Sequence, residues 1–188
     1  MRVLQEKALR CAGIVLAGAL VLAIPAQASA ANNLFLELNG IQGESNTQGF
    51  ENDIVISDWG WAADRSSGAA KATTHDITLT KSVDNASPAL LQRLYSGQAI
   101  TDGAIMNRTT GAQPFTWLKF CFTGLRVTSV EVKGGEDGSA TENVSFSFAT
   151  LVERYTQQAS DGSAGQSLTF GWDLVKYLQL SQTTQTAC

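Results

Sequence analysis

Val144, Phe146 and Phe148 alternate with Asn143, Ser145 and Ser147 ahead of Leu151 and Val152, a period of two that a half-buried strand satisfies and a helix does not. Similar stretches run over Leu34 to Leu38, Asp53 to Trp61, Thr73 to Lys81, Ala104 to Thr109, Phe115 to Thr123, Leu125 to Lys133 and Ser167 to Asp173. Each is bounded by Gly, Asn, Asp or Ser, so the chain is mainly β, and eight short strands imply a barrel or sandwich. One segment departs from this rhythm. Ser87 is placed to cap a helix, Pro88 suits its first turn, and Leu90, Leu91, Leu94 and Tyr95 share a side before Gly97, which predicts one short helix over residues 88–96. The helix is expected to plug an open end of the barrel.

Arg2, Lys7 and Arg10 precede the apolar run Ala12 to Ile24, and Ala28-Ser29-Ala30 supplies small residues before Ala31. Thirteen apolar residues fall short of the roughly 20 that span a bilayer, so residues 1–30 read as an export signal cleaved between Ala30 and Ala31, leaving no stable membrane anchor. The mature chain would be periplasmic or extracellular, with one β domain over 31–177 and a flexible tail over 178–188. It keeps ten Lys and Arg against sixteen Asp and Glu, a net charge of −6. Without a basic run it lacks the electrostatic footprint for nucleic acid.

Two cysteines remain after the leader, Cys121 within an apolar strand and Cys188 at the last position. Export permits a disulfide between them, while a strand thiol is equally explained as a small buried hydrophobe. His75, the single histidine, shares strand parity with Ile77 and Leu79, which predicts a buried imidazole rather than a general base tuned by Asp76. No second His or Cys pair stands at zinc-ligand spacing, and Glu136-Asp137-Gly138 reads as a turn rather than a calcium loop. The Asp58/Asp64 and Glu131/Glu136 pairs read as solvated edges, and no nucleotide or hydrolase signature is present, so neither catalysis nor a cofactor is expected. Trp59, Trp61, Trp117 and Trp172 offer stacking faces for sugars, but Trp59 and Trp61 share a face beside Gly60, an arrangement that favours packing.

Several segments, in order, resemble the haemolysin-coregulated protein (Hcp) family, the tube protein of type VI secretion systems. Leu34-Phe35-Leu36-Glu37-Leu38-Asn39-Gly40-Ile41-Gln42-Gly43-Glu44-Ser45 is similar to its opening strand and turn. His75 to Lys81 running into Asp84-Asn85-Ala86-Ser87-Pro88-Ala89-Leu90 resembles its third strand and single helix. Glu142 to Ala149 resembles its Glu-x-Val-x-Leu-x-Phe strand, and Phe170-Gly171-Trp172-Asp173-Leu174 its closing segment.

The resemblance implies a compact antiparallel β-barrel with one helix, assembling head-to-tail into hexameric rings that stack as a tube around a lumen for effector proteins. It brings no active site. Its partners would be copies of itself, secreted effectors, and type VI tip or sheath components. The stacking loop would correspond to Ala62 to Ala72, with Asp64, Arg65, Ser66 and Lys71 as its polar contacts. A second reading on the same scaffold is a monomeric exported module whose tryptophans contact glycan or envelope components.

Overall fold

One strand ties the molecule together. The structure, a computed structural model, describes residues 33–111 and 113–188, and in it β8 (Thr116–Gly134) runs without a break through the point where the sequence suggests two separate strands. Gly124 lies at that point with φ +63, a left-handed conformation that glycine adopts without strain. It redirects the strand instead of ending it, because a first half paired on both sides passes into a second half paired only with β9 (Ala140–Ser147).

The first half of β8 lies between β7 (Ile100–Arg108) and β10 (Thr150–Gln158) in a sheet that ends in β1 (Leu34–Leu38) and β2 (Ile54–Val55) on one side. The other side ends in β11 (Ala164–Asp173) and β12 (Leu178–Gln179). The second half of β8 pairs with β9, which is followed by β6 (Ile77–Ser82) and β3 (Asp58–Gly60). All pairings are antiparallel, and the strands do not close into a complete barrel. A separate hairpin of β4 (Ala63–Asp64) and β5 (Thr73–Thr74) projects from the body. The described residues thus hold twelve strands where eight were expected: the 53–61 and 73–81 stretches each break in two, two stretches fuse into β8, and β4, β10 and β12 are additional.

Leu36, Leu38, Ile105, Phe120 and Phe122 of the first sheet pack with Ile77, Leu79, Val144 and Phe146 of the second in one core. Thr128 is an extra residue between Val127 and Ser129, so Val127 and Val130 both reach this core despite being three apart. The helix α1 (Ser87–Ser96) packs on β8 and inserts Leu90, fully buried, into the same cluster. Tyr95 does not share that side: five residues beyond Leu90 it lies about 140° round the axis and is 87% exposed. Gly97 ends the helix at φ 63.

The segment 178–188 also departs from expectation. It is docked, through β12 and the five-residue helix α2 (Gln182–Thr186), onto the outer side of the first sheet. The leader read at 1–30 and its cleavage between Ala30 and Ala31 lie outside the described residues.

Candidate functional site

The sequence motifs from three distant stretches converge at the start of α1. Lys81, at the inner face of β6, is 0% exposed and Glu142, beside it on β9, is 1% exposed. The Lys81 ammonium has three protons and donates them to Glu142 Oε1 at 2.7 Å, Asp84 Oδ1 at 2.6 Å and the Ser82 carbonyl at 2.7 Å. Ser87 donates to the same Glu142 oxygen at 2.7 Å and accepts from the Asp84 amide at 3.1 Å. No side chain caps the helix: Ser87 is its first residue, its hydroxyl drawn inward because the buried carboxylate needs a donor, and Asp84 accepts from the Ala86 amide at 2.9 Å in the turn before it. Asn85 extends the network, its side chain donating to the Gly43 carbonyl at 3.2 Å and its amide to Glu44 Oε1 at 3.0 Å. Gly43 has no room for a side chain, since a Cβ there would lie 2.3 Å from the Asp53 carbonyl oxygen. Lys81, Asp84, Ser87 and Glu142 Oε1 are joined in one network, with Glu142 Oε2 left buried and without a hydrogen bond, and the cluster fastens β6, β9, α1 and the 40–45 turn.

His75 is exposed, not buried. The ladder of β6 begins only at Ile77, so parity with Ile77 and Leu79 does not extend back to it, and its Nε2 faces Asp64 Oδ1 at 3.4 Å across the hairpin base. Asp64, Arg65, Ser66 and Lys71 all lie on this hairpin, exposed. Arg65 Nε donates to the Ala69 carbonyl at 2.8 Å and shapes the tip, while the Lys71 ammonium sits 4.7 Å from the centre of the Tyr177 ring. The Ala72 amide donates to the Tyr177 hydroxyl, holding the hairpin against the body. Asp137 and Asp161 each accept from the amide and hydroxyl of a serine two residues on, which shapes the turns after β8 and β10 and lowers both carboxyl pKa values.

Three of the four tryptophans fall into two settings. Trp59 and Trp61 lie half-buried against the core, with Trp59 Nε1 donating to Asn107 Oδ1 at 3.1 Å and both rings near Phe120. Trp172 lies on the inner face of β11 in line with Phe170 and Leu168, opposite Leu151, Glu153 and Tyr155 of β10. The second sheet does not reach this far, and Tyr155 (42%), Leu168 (63%) and Phe170 (49%) remain exposed. At its inner end, Trp61, Phe170, Trp172, Leu174 and Tyr177 line an apolar groove of about 280 Å³ beneath the hairpin. Neither the buried Lys81–Glu142 pair nor this uncovered edge is among the expectations drawn from the sequence. The first had a signal: Lys81 shares parity with Ile77 and Leu79, and Glu142 with Val144 and Phe146.

On the outer face of the first sheet, Asp53 is partly buried and its carboxyl pKa is raised from 3.8 to about 6, by desolvation first and then by Glu37, with Lys119 opposing. Cys121 of β8 is joined to Cys188, with Cα atoms 5.9 Å apart.

A family model described as "Type VI secretion system effector, Hcp" matches residues 35–155. The chain belongs to the Hcp family. Protein hcp1 of Pseudomonas aeruginosa is 27% identical over 159 residues, covering 78% of this chain and 98% of that protein. The crystal structure of Hcp1 from Salmonella typhimurium superposes with TM-score 0.68 at 27% identity, over 79% of this chain and 98% of that one. A type VI secretion system effector from Yersinia pestis gives 0.66 at 27% identity, over 76% and 100% respectively. A further type six secretion system protein, 22% identical, shares the fold at TM-score 0.74, over 80% of this chain and all of that one. The chain is therefore a type VI secretion tube protein with the Hcp fold, and Hcp proteins are structural, secreted components of these systems. Residues from three of the four quoted motifs meet around Lys81 and Glu142, while Phe170 to Leu174 lie at the groove edge.

Proposed function

We propose that this protein is a non-enzymatic ring subunit that self-assembles head-to-tail into hexamers, which stack into a tube and carry effector proteins. The observation that carries this reading is the open end of the first sheet, where β11, paired with β12 only at Trp172 and Asp173, exposes Leu168 and Phe170 beside Tyr155. Closed rings need two unlike patches per subunit, and an uncovered apolar sheet edge is suited to be one of them. The hairpin tip with Asp64, Arg65, Ser66 and Lys71 is the stacking contact in this reading. Its exposure and its anchoring on Tyr177 suit a projection that reaches a neighbouring ring. Residues 1–30 direct export, cleavage falls between Ala30 and Ala31, and the destination is the periplasm or the extracellular space.

Sedimentation velocity and electron microscopy of residues 31–188 test it. Annular particles of six protomers at micromolar concentration are expected; a mass of one protomer at all concentrations overturns the ring. The groove beside Trp61, Phe170 and Trp172 favours one other reading, a monomeric module that stacks on glycan. A shift in tryptophan fluorescence on adding soluble glycan, together with a protomer mass, would select it.

A further inference from the structure

Residues 178–188 lie as a strap across the outer side of β8, β10 and β11, and the strap is held in two ways. The first is non-covalent and modest. Leu178 and Gln179 pair with Asp173 and Trp172, the Leu180 amide donates to the Gly171 carbonyl at 3.0 Å, and Arg154 Nη2 donates to the Thr186 carbonyl at 2.7 Å. Gln185, 2% exposed, is the strap's one buried side chain; it accepts from Thr169 Oγ1 at 3.3 Å and donates to the Leu180 carbonyl at 2.7 Å. It sits in a notch that exists because residue 171 is glycine, where a Cβ would come 2.8 Å from Gln185 Cγ. The helix α2 is five residues of Gln and Thr, too short to persist without tertiary support.

The second hold is covalent, at the very end of the chain, through Cys188 to Cys121. Both cysteines, each partly exposed, line an open cavity of about 300 Å³ that Lys119, Thr123 and Thr184 also line, which gives a small reductant an approach to the bond. Lys119 is two residues from Cys121 on the same face of β8, and its charge favours a departing thiolate.

From this arrangement we propose that the strap is a redox-operated latch: closed by the Cys121–Cys188 bond, and opened by a dithiol reductant that uncovers Cys121, Val152 and Gly171 on the outer face. One thiolate of the dithiol attacks Cys188 Sγ, the S–S bond breaks, and Cys121 leaves as a thiolate that takes a proton from water. The second thiol of the reductant then closes its own disulfide, releasing Cys188 as a thiol. Two electrons pass from the dithiol to the protein and two protein thiols result. The bond is an efficient latch because the remaining contacts of the strap are few and polar, while the β6–β9 core does not depend on it.

The latch is separable from ring assembly, because its test reads the strap and not the oligomer. Hydrogen exchange by mass spectrometry is followed on the exported chain, untreated and in dithiothreitol, with free thiols counted by alkylation. The untreated chain is expected to show no free thiol and a protected 178–188 peptide. Reduction should speed exchange at Leu180 and Gln185 at least tenfold while leaving the β6–β9 amides unchanged, and Cys188→Ser should match the reduced protein. Gln185→Ala with the bond intact should loosen the strap less than reduction does. Two free thiols in the untreated chain, equal protection of the strap in both states, or acceleration spreading to β6 and β9 would each overturn the latch.

Discussion

Two corners of the molecule treat their side chains in opposite ways. At the start of α1, Lys81, Asp84, Ser87 and Glu142 are drawn out of water and bonded to one another, all but Glu142 Oε2. At the far edge, Tyr155, Leu168 and Phe170 are apolar and left in water. Burying charge is costly unless every partner is present, and exposing large apolar surface is costly unless something covers it. The first corner is complete within one chain and serves the fold. The second is left open within one chain, and in the proposed ring it is the surface a neighbouring copy would cover.

The largest effect should come from opening the complete corner. Lys81→Ala leaves the Glu142 and Asp84 carboxylates without their shared cation, and a loss of about 3–5 kcal/mol is expected in urea unfolding. A loss under about 1 kcal/mol would mean that water replaces the ammonium there, and the contrast between the corners would fail.

Phe170→Asp is the converse test at the open edge. Its ring is half exposed, so monomer stability should change by less than about 0.5–1 kcal/mol, while the ring population in sedimentation velocity should collapse. Intact rings with this variant would move the subunit contact away from β11.

The smallest effect concerns Asp53, a carboxyl partly buried near Glu37 without a directly bonded cation. Its folded pKa of about 6 lies above the ordinary 3.8, so the folded state binds more protons between these values and stability falls as pH rises through them. Asp53→Asn should remove that slope and raise stability at pH 7 by about 1 kcal/mol, a figure discounted for the group's partial exposure. Chemical denaturation at pH 4 and pH 7 checks it, and an unchanged slope in the variant would assign the pH dependence to other groups.

The strand content, the helix and its glycine stop were legible because each depends on near neighbours: alternation at Val144 to Phe148, a proline at 88, a glycine at 97. Parity misled where it was extended past a ladder's end, as at His75, or where a glycine such as Gly124 bends a strand instead of ending it. The glycine and small residues around Asp64, Arg65, Ser66 and Lys71 read as a loop, but the Tyr177 contact that anchors it lies more than a hundred residues away in the chain.

Local order along the chain was thus set by the amino acids alone, since hydrophobic period and backbone restriction act over a few residues. Only the tertiary structure decided which charges met in the dark at Lys81 and Glu142, which apolar strand face found no cover, and that the last eleven residues reach back to Cys121. Those outcomes depend on which distant segments share a surface, a matter of packing geometry that no local pattern encodes.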